Sequence, residues 1–98
     1  MNLNSLSLID INVARNAWPY LFRNLEHCSD LIRLDLSRNE LDGTSIHFLA
    51  KSLMIQKQVS KLSLASCDLD EDCMRELAKG LRHHRVLSSL DISQNIYW

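Results

Sequence analysis

Hydrophobic residues return along this chain at intervals of 28 positions, and each return has the same internal spacing. Leu3, Leu31, Val59 and Leu87 begin the pattern. Three residues further on stand Leu6, Leu34, Leu62 and Leu90, and two beyond those Leu8, Leu36, Leu64 and Ile92, which gives Leu-x-x-Leu-x-Leu four times. The register holds through the second half of each unit. Val13, Leu41, Leu69 and Tyr97 form one column, Trp18, Ile46 and Met74 the next, then Leu21, Leu49 and Leu77, then Phe22, Ala50 and Ala78, and finally Leu25, Leu53 and Leu81. With 46% hydrophobic residues in the chain, filling all of these columns by chance has a probability on the order of 10⁻¹⁰ before correction for choice of register.

Within a unit the hydrophobic period changes from two residues, as in Leu34 and Leu36, to about 3.6, as in Ile46, Leu49, Ala50 and Leu53. A short strand followed by a helix is therefore predicted in each unit. Asp70 or Glu71 can open the helix near residue 70. Asp72 falls in its first turn and Lys79, Arg82 and His83 near its end, the charge order a helix dipole favours. One such unit cannot bury both a strand face and a helix face, so the units must stack and share a core between a parallel sheet and a layer of helices. The predicted fold class is α/β: a solenoid of right-handed βα turns, sheet on the concave side and helices on the convex side. It holds about three and a half repeats spanning 3–30, 31–58, 59–86 and a partial 87–98. Asn39, Cys67 and Asn95 share one position just after the strand, where a buried side chain can bond the backbone of the turn leaving it. Ile11 stands there in the first unit, which is expected to be irregular.

The alternating columns and polar ladder of Leu31-Ile-Arg-Leu34-Asp-Leu36-Ser-Arg-Asn39-Glu-Leu41, with Leu49-Ala50-Lys-Ser-Leu53 behind, resemble the ribonuclease-inhibitor type of leucine-rich repeat. The resemblance covers essentially the whole chain. It groups the chain with ribonuclease inhibitor, the sensor regions of NOD-like receptors, tropomodulin-like actin regulators and the Ran GTPase-activating protein. What it implies is a curved surface for protein partners, and it does not select among the functions found on that fold.

Composition narrows the classes further. Ninety-eight residues suffice for one small domain over 1–98, and Gly 2 and Pro 1 with 23% charged residues describe an ordered globular chain. A formal net charge of -1 supplies no field for nucleic acid or an anionic membrane surface. Neither a signal-peptide pattern at the N-terminus nor an apolar run of ~18 residues occurs, so no membrane partner is expected. Cys28, Cys67 and Cys73 are odd in number, lack metal-type spacing and come without a glycosylation sequon, which points to a reducing, cytoplasmic setting.

Candidate chemistry is sparse. Cys28 beside His27, and the pair His83-His84, are the nearest approach to a thiol-base pair and are read as solvated loop residues. The stretch Asp68-Leu-Asp70-Glu71-Asp72 places carboxylates as a calcium loop would begin. Cys73 and Lys79 stand where the loop needs Gly and Glu, so it is read as a helix start. No catalytic residue, metal or cofactor is expected. The candidate partner-binding residues are those alternating with the strand leucines: Arg33, Asp35, Ser37, Lys61, Ser63, Ser89 and Asp91, with Arg38 at the strand end.

The function expected is a protein-interaction module acting through the concave face. An enzyme-regulating domain such as a GTPase activator, or a non-autonomous piece of a larger receptor or scaffold, are the alternatives. Because this 98-residue sequence ends at Ile96, Tyr97 and Trp98, after the fourth strand and before a fourth helix, the open side is expected to make the chain self-associate or leave it only marginally stable, while bulky Trp18 and Phe22 partly cap the other end.

Overall fold

The computed structural model describes residues 3–95, so Tyr97 of the fourth column and the 96–98 segment lie outside the described residues. Four short strands, β1 (Ser5–Ser7), β2 (Arg33–Asp35), β3 (Lys61–Ser63) and β4 (Ser89–Asp91), alternate with helices α1 (Trp18–Leu25), α2 (Gly43–Ile55) and α3 (Glu71–Leu81). The strands form one parallel sheet in the order β1-β2-β3-β4. Ser5 lies opposite Arg33, Arg33 opposite Lys61 and Lys61 opposite Ser89, so the sequence interval of 28 residues is also the step of the ladder.

Each strand ends after three residues because the chain turns sharply toward its helix. Asp10, Arg38, Ser66 and Gln94, again one per unit, have φ of 53, 61, 56 and 56°, in the left-handed region that side chains disfavour. Each immediately precedes the ladder position.

The core lies between the sheet and the helix layer. Leu31, Leu34, Leu36, Val59, Leu62 and Leu64 enter from the strand segments, Ile46, Leu49, Leu53 and Leu77 from α2 and α3, and Trp18 and Phe22 from α1. The two aromatic rings stack at 5.5 Å between centroids, filling the first unit where shorter residues stand in the others. The second unit, with a strand and a helix on each side, buries every one of its columns. Toward the ends of the stack Leu3, Leu6 and Leu87 are half-buried and Leu90 is 38% exposed, and on α3, the last helix among the described residues, Met74 and Leu81 are half-buried and Ala78 is exposed. Val13 also departs from its column, at 38% exposed against 2% for Leu41 and 0% for Leu69.

The helix starts explain part of that departure. Asp42 caps α2 by accepting the Ser45 amide at 2.8 Å, and Asp70 caps α3 by accepting the Cys73 amide at 2.9 Å. Asp70, rather than Glu71, is thus the opening residue. The equivalent residue of the first unit is Ala14, whose side chain can accept nothing. There the chain instead passes through a 3₁₀ turn at Arg15–Ala17 and starts α1 late, with Pro19 in its first turn. The result is a helix of 8 residues against 13 and 11.

The helices approach most closely where α3 carries Gly80. A Cβ added there would meet Ala50 Cβ at 2.4 Å and Ala50 Cα at 2.7 Å. One unit earlier the same position is Ser52, whose Oγ donates to Phe22 O at 3.2 Å. In an ordinary helix Gly→Ala stabilises by about 1 kcal/mol. Here overpacking reverses the sign, and Gly80→Ala is expected to destabilise by ~1–3 kcal/mol. Thermal denaturation of the variant checks this, and an unchanged or raised midpoint would show that the two helices separate at no cost.

Candidate protein-binding face and the ladder beneath it

The ladder side chains hold the turns of two units at once. Asn39 Nδ2 donates to Leu36 O at 2.9 Å and Ser37 O at 3.2 Å within its own turn, and to Leu8 O at 2.8 Å in the unit before. Its Oδ1 accepts the Ile11 amide at 3.1 Å. Asn95 repeats the arrangement. Its Nδ2 donates to Ile92 O at 2.9 Å, Ser93 O at 3.1 Å and Leu64 O at 3.0 Å, and its Oδ1 accepts the amides of Cys67 and Leu69, both at 2.9 Å. Cys67 has only a thiol to offer, which donates to Leu36 O at 3.1 Å, while its own carbonyl accepts the Leu41 amide at 3.3 Å. Burial pushes the Cys67 thiol above its ordinary pKa. Ile11 cannot serve an earlier turn, and none precedes it among the described residues; its own amide is served by Asn39.

Above this ladder lies the concave sheet face. Arg33 and Lys61 stand side by side on β2 and β3, both exposed, with the short Ser5 and Ser89 on either flank. Neither cationic side chain has an ion pair or hydrogen bond among the described residues. The adjacent row is Ser7, Asp35, Ser63 and Asp91. Its two carboxylates are engaged along their own strands. Asp35 Oδ1 accepts the Ser37 amide at 3.0 Å and the Ser37 hydroxyl at 2.7 Å. Asp91 Oδ1 accepts the Ser93 amide at 3.0 Å and the Ser93 hydroxyl at 2.6 Å, bonds that hold its carboxyl below the usual range. Ser37 is therefore half-buried and bonded, not the freely exposed side chain its alternation suggests. Arg38 is exposed at the left-handed exit of β2.

Sequence reasoning missed a second column of bonds at the helix ends. Cys28, Gln56 and His84 share a unit position. The Gln56 side chain, buried, donates from Nε2 to Leu25 O, and Gln58 Nε2 donates to Cys28 O at 3.3 Å. His84 Nδ1 accepts the Leu87 amide at 3.3 Å and Nε2 faces Gln56 O at 3.1 Å. With the Leu87 amide donating to Nδ1, Nε2 is the ring atom left to donate to Gln56 O. His84 is thus half-buried and structural rather than a solvated loop residue, whereas His27 and His83 are exposed. The spacing of 28 residues was the available signal, hidden because three different residue types fill the column.

The remaining candidates have local roles. Glu71 and Asp72 pair with Arg75 at 3.4 and 2.7 Å on the surface of α3. Burial raises the Cys73 thiol to about 11, and all three cysteines are free. On the convex side His47 and Lys79 both contact Glu76, at 2.9 and 3.0 Å. Among the described residues no group of three His, Cys, Asp or Glu side chains converges to hold a metal ion, and no helix is long and apolar enough to cross a membrane.

No family model matches the chain. It is 36% identical over 96% of its length to the mouse NACHT, LRR and PYD domains-containing protein 4E, and 30% identical over 95% to protein 4C of the same series. The human NACHT, LRR and PYD domains-containing protein 13 is 29% identical over 96%. The chain spans about 10% of the length of these curated relatives. Among solved structures it is similar to the C-terminal domain of tropomodulin from Caenorhabditis elegans, with a TM-score of 0.57 over 94% of this chain and 74% of that one, at 9% identity. That likeness concerns the fold.

The ladder geometry predicts unequal costs for two neighbouring substitutions. Asn39→Ala leaves the Ile11 amide and the Leu8 carbonyl without their partner and takes one of two donors from the Leu36 carbonyl, an expected loss of ~1–3 kcal/mol. Ser37→Ala removes one half-buried hydroxyl and should cost less than about 1 kcal/mol. Equal urea midpoints for the two variants would contradict the ladder's role.

Proposed function

We propose that this leucine-rich-repeat solenoid of the ribonuclease-inhibitor type is a protein-interaction module that engages its partner through the concave sheet face. The contact residues are Arg33, Asp35, Ser37, Arg38, Lys61, Ser63, Ser89 and Asp91. The observation that carries the reading is the pair Arg33 and Lys61, two cations in register on neighbouring strands with no counterion among the described residues. Like charges placed directly opposite destabilise a sheet. A partner that neutralises them recovers that free energy on binding. Leucine-rich-repeat domains generally bind proteins, and such a domain is part of the names of the similar mouse and human proteins.

In the same reading residues 1–98 act as a single array in a reducing, cytoplasmic setting, which suits three unpaired cysteines. The outer edge of β4, with Leu90 and Val86 at 38 and 49% exposed, is the second surface we propose, suited to a further copy of the chain.

Photo-cross-linking tests the concave face against the convex one. A cross-linker at Ser63 should capture partner proteins that one at Arg75 does not. Arg33→Glu with Lys61→Glu should reduce that capture about tenfold or more, the equivalent of ~1.4 kcal/mol, while Lys51→Glu on the convex face leaves it unchanged. Equal capture from both faces, or capture indifferent to the Arg33 and Lys61 reversal, would overturn the reading.

A further inference from the structure

We infer that the concave face is built for a mixed-charge peptide segment, with one acidic side chain seated between Arg33 and Lys61 and one basic side chain over Ser63, between Asp35 and Asp91. The inference rests on the concave-face reading and names the chemistry of its partner.

Charge is laid out on this face in two rows of opposite sign. Arg33 and Lys61 are nearest neighbours across β2 and β3, so their backbones are ~4.8 Å apart. A single carboxylate can bond both, accepting the two-pronged guanidinium and the ammonium together. In the next row Asp35 and Asp91 stand two strands apart, ~10 Å, with the short Ser63 between them. The short Ser63 thus stands in register between two carboxylates. Each carboxylate uses Oδ1 for its serine, and neither Oδ2 accepts a hydrogen bond among the described residues. Because both acids are held by their own strands, the cation row is not neutralised from within the described residues.

The distance between the rows sets the partner's spacing. Arg33 to Asp35 and Lys61 to Ser63 are two residues apart on each strand, ~6.6 Å. An extended segment presents side chains on one face with the same two-residue interval. Ser5, Ser7 and Ser89 surround the site with short side chains, so a partner backbone can come close. A polyanion fits poorly. Its charges would continue from the cation row onto Asp35 and Asp91, which rules against nucleic acid as the preferred ligand. A basic segment meets the reverse repulsion at Arg33 and Lys61.

The test uses the full 98-residue chain at low ionic strength and four defined probes. Three are blocked 12-residue peptides, (Glu-Ser-Lys-Ser)3, (Glu-Ser)6 and (Lys-Ser)6, and the fourth is a 12-nucleotide single-stranded oligonucleotide. Amide chemical shifts report binding. The mixed peptide should shift the amides of Arg33, Lys61 and Ser63 and bind about fivefold or more tighter than each other probe, as two additional weak ion pairs allow. Arg33→Gln with Lys61→Gln should remove that preference. Asp35→Asn with Asp91→Asn, which keeps an acceptor for each serine, should let (Glu-Ser)6 bind as well as the mixed peptide. Circular dichroism verifies that each variant is folded.

Equal or tighter binding of (Glu-Ser)6 or the oligonucleotide to the unmodified chain would overturn the inference in favour of a polyanion site. Preference for (Lys-Ser)6, shifts confined to other residues, or no peptide binding would overturn it as well. Concave cross-linking that succeeds while the mixed peptide shows no preference would sink the partner chemistry alone. Failure of the concave cross-linking would sink the reading beneath it.

Discussion

A chain that leaves a three-residue strand for a helix exposes backbone groups at the exit that no sheet partner reaches, and in a stack of such units these exits lie buried one above another. This constraint governs the molecule. At every exit the residue before the ladder position adopts a left-handed backbone, Asp10, Arg38, Ser66 or Gln94, and in the first and third units Asn12 and Asp68 do so as well, at a cost of roughly 1 kcal/mol each. In the last three units the next residue then turns its side chain inward to bond carbonyls of its own turn and of the unit before. Asn suits the position best because one amide both donates and accepts, so Asn39 and Asn95 each join two units. Cys67 joins them through one donated thiol bond and through its backbone.

Everything outside the ladder inherits its register. Strands held at a fixed step present alternate side chains in straight rows, leucine inward and Arg33, Lys61, Asp35 and Asp91 outward. Behind the sheet the same step sets α3 against α2, closely enough that only Gly80 fits opposite Ala50. The helix ends are tied by a second set of bonds through Gln56, Gln58 and His84, so each unit is fastened to the last at both ends of its core.

The columns of leucine, the alternation of strand and helix, and the column Asn39, Cys67, Asn95 are legible in the sequence because each repeats one chemistry at one spacing. Three other features are not. The helix caps depend on single residues, and Ala14 at the position of Asp42 and Asp70 goes with a shortened α1 although the hydrophobic columns of the sequence run through that unit unbroken. The helix-end bonds are made by Cys28's backbone, Gln56 and His84, unlike residues whose shared position carries no common pattern. Burial of Val13, Leu90 and Ala78 depends on neighbours that periodicity assumes for every strand and helix and that the end elements lack among the described residues. At the concave face, spacing names the row but not the bonding within it. The turn from Asp35 to Ser37, which leaves Arg33 and Lys61 without a counterion among the described residues, is visible only in three dimensions.

Native-state hydrogen exchange on the Leu69 amide tests the central claim most directly, since that amide bonds Asn95 Oδ1 rather than any backbone carbonyl. If the ladder holds the units together, Leu69 should exchange only through the same opening that frees the sheet amides of Leu36 and Leu64, with protection within about 1 kcal/mol of theirs. Exchange of Leu69 at the rate of an exposed turn amide, with Leu36 and Leu64 still protected, would show that the sheet stands without the ladder and would contradict the account.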